Sequence, residues 1–142
     1  MKAVEINQTG SPEVINLKDI TLEKPNSDEV TIEQKAIGLN YIDTYHRSGL
    51  YPLKLPSGLG LEGAGLITEV GSNVTNFKTG DKVAYAAIPL GSYSTHRNFP
   101  ASKIVKIPDG VDFDIAATLM TKGLTTYYLL HQTYKVKSGE TI

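Results

Sequence analysis

The side chains best suited to chemistry crowd into one stretch, Asn40-Tyr41-Ile42-Asp43-Thr44-Tyr45-His46-Arg47-Ser48-Gly49-Leu50-Tyr51. An asparagine amide carries a donor and an acceptor together, which suits it to holding another amide or a sugar hydroxyl. Tyr45 and Tyr51 each set a phenol beside a flat ring, so each offers apolar contact and one hydrogen bond. Asn40, Tyr45 and Tyr51 are therefore the candidate catalytic donors. Tyr41, Ile42, Asp43 and Thr44 lie between them; by their own types Tyr41 and Ile42 pack and Asp43 caps a turn.

Composition removes several other chemistries. With no cysteine among 142 residues, disulfides, thiolate zinc sites, Fe–S clusters and a cysteine nucleophile are all excluded. The three histidines, His46, His96 and His131, lack the i, i+4 spacing of a metal-binding helix. Fourteen basic residues against fifteen acidic ones leave no electrostatic footprint for nucleic acid. No run nears the roughly 20 apolar residues that span a bilayer, so no membrane partner is expected. Met1 to Asn7 has an early acid and no apolar h-region, unlike a signal peptide. A cytoplasmic protein is the expectation.

The elements that must position these residues are mostly strands. Hydrophobic residues make up 40% and charged residues 20%, a globular balance. Alternation or β-rich composition marks strands at 2–7, 14–20, 30–39, 66–70, 82–87, 93–99 and 103–107. Val30, Ile32 and Ala36 read as inward positions. The Asn40–Gly49 stretch reads as one short helix or a pair of turns, stopped at Gly49. Gly58-Leu59-Gly60-Leu61-Glu62-Gly63-Ala64-Gly65 reads as a loop in which Glu62 is a polar anchor. Its glycines match a phosphate-binding pattern only loosely, because a strand follows rather than a helix.

Beyond Asp112 the texture turns helical. Apolar residues recur at three- and four-residue spacings, with Leu124, Tyr127, Tyr128 and His131 in one stripe. Gly123 predicts a break, hence two helices. Ser138-Gly139 is expected to end the second, and Glu140-Thr141-Ile142 to begin a new strand.

Four blocks, in order, carry a resemblance: Lys35 to Pro52, Pro56 to Gly65, Thr79-Gly80-Asp81-Lys82-Val83-Ala84-Tyr85, and Thr121-Lys122-Gly123-Leu124-Thr125-Thr126-Tyr127-Tyr128-Leu129-Leu130. Together they resemble the NADPH-dependent quinone oxidoreductases, the zeta-crystallin-like branch of the medium-chain dehydrogenase/reductase superfamily. The resemblance implies a mainly β, GroES-like, partly open barrel over residues 1–111, the family's catalytic domain. Residues 112–142 are then helices leading into a Rossmann domain that this sequence lacks. The family's C-terminal return to the barrel is also missing, so the chain is expected to be an N-terminal part.

By the same resemblance, the stretch Tyr41 to Tyr45 and the position of Tyr128 contact NADPH, and the substrate is a quinone or another conjugated carbonyl. In zinc-dependent relatives a glycine, histidine, glutamate run supplies a ligand, and a cysteine stands near the position of Asn40. Here Leu61 replaces that histidine, which implies a zinc-free site. Lys122 and Thr125 sit where barrel and cofactor domain would meet. Lys122 either pairs with a phosphate or substrate oxygen or is a solvated charge; Thr125 either donates to a carboxamide or caps a helix. The implied reaction is hydride transfer from NADPH to a quinone. An enoyl reductase of the same superfamily and a catalytically silent binding module are the alternatives. The unpartnered stripe from Leu124 to His131 makes a homo-oligomer the expectation.

Overall fold

The computed structural model describes residues Met1–Ile142. The chain builds two open antiparallel sheets and one long helix. β1 (Lys2–Ile6) pairs with β2 (Asn16–Asp19) and with the two-residue β4 (Ser57–Gly58). The larger sheet orders β7 (His96–Pro100), β3 (Glu29–Gly38), β5 (Glu62–Val70), β6 (Lys82–Ala86) and β8 (Val105–Lys106). A bridge between Ala3 and Ser94 links the smaller sheet to the segment leading into β7. Neither sheet closes on itself, so the GroES-like, partly open architecture expected from the sequence is borne out.

The core follows from the strands' composition. Val30 and Ile32 alternate inward from β3 and meet Ile67, Val83, Tyr85 and Phe99 from its neighbours. Each such aliphatic side chain, fully buried, contributes roughly 1.5–3 kcal/mol. Arg97 is buried in the same layer, its guanidinium 4.3 Å from the Phe99 ring centroid and 5.1 Å from that of Tyr85. Its charge is met by carbonyls: Nη2 donates to Pro89 O at 2.7 Å. A second cluster joins Ala64, Ala84 and Ile107 to Ala116 and Ala117 of α2 (Phe113–Tyr128). The start of the helix is thus packed on the sheet.

Three expectations need correction. The glycine-rich stretch is not one loop. Ser57–Gly58 forms β4, and Glu62 to Gly65 are the first residues of β5, paired with β3. Gly63 and Gly65 are packing positions: a Cβ at Gly63 would stand 2.7 Å from Gln34 Oε1 and 2.9 Å from the Tyr85 hydroxyl. Gly123 does not break the helix, which runs unbroken from Phe113 to Tyr128 and continues as a π-helical turn to Thr133. One internal glycine costs about 1 kcal/mol against alanine, and the hydrogen-bond ladder on either side outweighs that. Glu140 to Ile142 form no strand. No edge pairs with them, and the Glu140 carboxylate instead accepts from Lys137 N at 2.8 Å and the Tyr134 hydroxyl at 3.2 Å.

Candidate active site

The Asn40–Gly49 stretch is one helix, α1 (Tyr41–Ser48). Asn40 stands at its N-cap, and the Asp43 carboxylate reaches back to Asn40 N at 3.0 Å. Gly49, at φ 88°, ends it in the left-handed conformation that glycine adopts freely. Tyr51 N then donates to Tyr45 O at 3.1 Å, folding the following residues back against the helix. Tyr41 and Tyr45 lie four residues apart and so share a face. Their ring centroids are 5.5 Å apart, and Tyr45 and Tyr51 are 5.4 Å apart. The result is a continuous run of three phenols. Tyr41 is exposed, Tyr51 about half-exposed and Tyr45 partly covered.

The opposite side of α1 is polar and buried. Asp43 Oδ2 also accepts from the Tyr93 hydroxyl at 2.8 Å, while its Oδ1 is buried without a partner. Burial, and then the Asp43 carboxylate beside it, push the Tyr93 phenol above the usual tyrosine range. Tyr93 was not singled out in the sequence; it lies 50 residues from Asp43, and only the pairing of distant segments brings them together. Thr44 Oγ1 turns back to Tyr41 O at 2.7 Å, and Ile42 is half-buried. Both positions fit a packing role as well as contact with a ligand.

Glu62 is fully buried and holds the site together. The register of β3 and β5 sets Gly38 opposite Glu62, so Asn40, two residues on, falls beside the first residue of β5. Asn40 Nδ2 donates to Glu62 Oε2 at 2.7 Å. The other carboxylate oxygen accepts from Thr121 N, in the middle of α2, at 2.7 Å. Lys122 Nζ donates to Asn40 Oδ1 at 3.0 Å and to Leu39 O at 3.2 Å, and lies 3.9 Å from Glu62 Oε2. Glu62 therefore anchors more than a loop: it ties α1 to α2. The approach is close enough to require Gly38, where a Cβ would stand 2.5 Å from Glu62 Oε2 and closer still to Ala117 O.

Of the residues expected from the sequence, Asn40, Asp43 and Lys122 join this network, and Tyr41, Tyr45 and Tyr51 form the aromatic face. Thr125 and Tyr128 are exposed further along α2, and no side-chain hydrogen bond ties either to the network. The missed members are Thr121, which contributes a backbone N–H that no side-chain pattern could reveal, and Tyr93. His46 lies against Tyr51 with ring centroids 5.9 Å apart. No group of three or more His, Asp or Glu comes together as a metal site.

The chain belongs to the alcohol dehydrogenase GroES-like domain family, whose sequence pattern matches residues 26–109. It is 54% identical over 142 residues to a quinone oxidoreductase of Pseudomonas aeruginosa, spanning 99% of this chain and 44% of that protein. It is 41% identical to a 2-haloacrylate reductase of a Burkholderia species, over 97% of this chain and 43% of the other. The structure of Escherichia coli quinone oxidoreductase complexed with NADPH superimposes with a TM-score of 0.94 at 47% identity, covering 96% of this chain and 42% of that one. The resemblance read in the sequence is borne out at the level of family, and the chain spans less than half the length of these relatives.

Proposed function

We propose that the chain is the catalytic-domain portion of a zinc-independent NADPH:quinone oxidoreductase that works in the cytoplasm. On this reading residues 1–111 form the catalytic domain, and residues 112–142 lead towards the domain that holds most of the cofactor. The carrying observation is the run of phenols at 41, 45 and 51 beside the anchored amide of Asn40. It offers apolar ring faces, tilted 55–66° to one another, with hydrogen-bond donors beside them, against which a flat ring can pack. The relatives named above support the choice of NADPH and a quinone.

The residues fit the nicotinamide end of that cofactor. Thr121 Oγ1 is buried without a partner beside the Glu62 network, a hydroxyl that a carboxamide or a ribose would satisfy. The phosphates find no comparable place, because the glycines of β5 are packed against β3. NADPH supplies the hydride. The tyrosine face orients the acceptor and shields it from water. Tyr51, Tyr45 and Asn40 donate to the oxygen on which negative charge develops. A quinone is already electrophilic, so hydrogen bonds suffice without a Lewis acid. On this reading Lys122, from within the Asn40–Glu62 network, and Thr125 and Tyr128, exposed further along α2, complete the set that contacts the cofactor. Self-association through the exposed stripe of α2 belongs to the same reading.

The test is NADPH oxidation by the full-length protein with a benzoquinone, after dialysis against a chelator. Turnover without stoichiometric zinc is expected; no turnover, or a strict zinc requirement, overturns the reading. The 2-haloacrylate reductase relative favours a second acceptor class, electron-poor C=C bonds. A preference for such substrates over quinones would select it.

A further inference from the structure

We propose that Glu62 and Lys122 are positioning residues that lock the Asn40 amide in one orientation, so that a single fixed N–H faces the reacting groups. The role assigned to Asn40 rests on the function proposed above; the locking itself does not. An amide side chain has nearly the same shape either way round, and only its partners distinguish oxygen from nitrogen. Here the partners leave no choice. A carboxylate only accepts and an ammonium only donates. With Nδ2 on Glu62 Oε2 at 2.7 Å and Oδ1 under Lys122 Nζ at 3.0 Å, both contacts are favourable and charge-assisted. Flipped, the amide would turn its oxygen to the carboxylate and its N–H groups to the ammonium, and both contacts would repel.

The lock is itself held rigidly. Glu62 has no exposed surface, and its second oxygen is occupied by Thr121 N at 2.7 Å, so the carboxylate cannot swing. Lys122 is half exposed along its stem, but its ammonium is tied to Leu39 O as well as to Asn40. The ammonium on Oδ1 draws electron density out of the amide and strengthens the remaining Nδ2–H as a donor, and the carboxylate fixes which hydrogen that is. That hydrogen has no acceptor within the chain. An ordinary N-cap asparagine would need neither charge. A buried carboxylate and a lysine on either side of one amide are costly to assemble and make sense where orientation itself matters.

The test has two independent readouts on the full-length protein. The first is the side-chain amide of Asn40 by NMR, in the absence of substrate. In the wild type its two protons should be distinct and slow to exchange with solvent. In Lys122→Met, which alters a half-exposed side chain and should still fold, exchange should speed by at least about tenfold, and Lys122→Arg should restore protection. Unchanged protection in Lys122→Met overturns the lock. The second readout is kinetic. Glu62→Gln and Asn40→Ala should each lower kcat by about tenfold, the scale of one hydrogen bond involving a charged group, with KM for NADPH little changed. The double variant should be no slower than the slower single one, because Glu62 acts through Asn40. A multiplicative loss of about a hundredfold would mean that Glu62 acts elsewhere, which overturns the positioning role. Should the wild type reduce no quinone, the function proposed above fails while the exchange experiment still decides the lock.

Discussion

Replacing Gly38 with alanine probes the junction that the whole site depends on. The added Cβ would stand 2.5 Å from Glu62 Oε2 and nearer still to Ala117 O, where ordinary contact begins at 3.4 Å. About 0.9 Å must be found at the carboxylate and about 1.2 Å at the carbonyl, and neither neighbour is free to give it. Ala117 O belongs to a helix whose Ala116 and Ala117 are packed on Ala64 and Ala84. Glu62 is held at both oxygens. Lifting the helix opens that alanine cluster, and moving the carboxylate breaks bonds to Asn40 and Thr121. Overpacking costs about 1–3 kcal/mol, and stretching a hydrogen bond to a charged group adds roughly 1.5 kcal/mol or more. A loss of about 3–4 kcal/mol of unfolding free energy is expected. Urea denaturation of wild type and variant, fitted with a common slope, measures it. A loss below about 1 kcal/mol would mean that the junction relaxes freely, and the argument for a rigid anchor at Glu62 would fall with it.

Tyr51→Phe removes one candidate donor while keeping the ring. It should lower kcat/KM for quinone reduction by about a hundredfold, the lower range for one lost oxyanion donor; an unchanged value removes Tyr51 from the donor set. The Tyr93 and Tyr85 phenols are both held above the usual range, chiefly by burial. The folded state therefore keeps protons that the unfolded chain releases above about pH 10. Their contribution is complete below that pH and is lost as pH rises further, so stability should fall on the alkaline side. Tyr93→Phe should flatten the fall, and parallel urea-midpoint profiles for variant and wild type between pH 9 and 11 would refute the account. The exposed Leu124 and Tyr127 of α2 should mediate self-association of the 142-residue chain. Light scattering over a concentration series should show mass above the monomer, lost in Leu124→Lys/Tyr127→Lys; a constant monomer mass at every concentration counts against it.

The parts of the fold that local chemistry dictates were legible in the sequence. Asn40–Gly49 reads as one short helix or a pair of turns stopped at Gly49, and α1 is a single helix that ends there. Alternation places Val30 and Ile32 inward as observed. Legibility failed where distant segments decide. Glycine in a run ordinarily signals a loop, yet Gly63 and Gly65 are strand residues because neighbouring groups close in on them. Gly123 reads as a breaker locally, but one unfavourable residue does not end a sixteen-residue helix whose start is packed on a sheet. At the site, Asn40 stood out by residue type and Lys122 by the resemblance, with a solvated charge as its alternative. Their meeting through Glu62 did not, because 22 and 59 residues separate Glu62 from Asn40 and from Thr121.

The continuity of α2 through Gly123 makes it a lever. Its fulcrum is the pair Ala116 and Ala117, wedged against the sheet; its free arm ends at Tyr128, about 16 Å away at 1.5 Å per residue. Lys122 lies about 7 Å along the same arm, so sideways travel at Tyr128 reaches it reduced to a little under half. Hydrogen bonds of 2.7 and 3.0 Å at Thr121 and Lys122 tolerate only about half an ångström before they weaken. Roughly an ångström of motion at the far end therefore suffices to slacken the grip on Asn40. Whatever leans on the outer half of this helix gains mechanical advantage over an amide that it never touches.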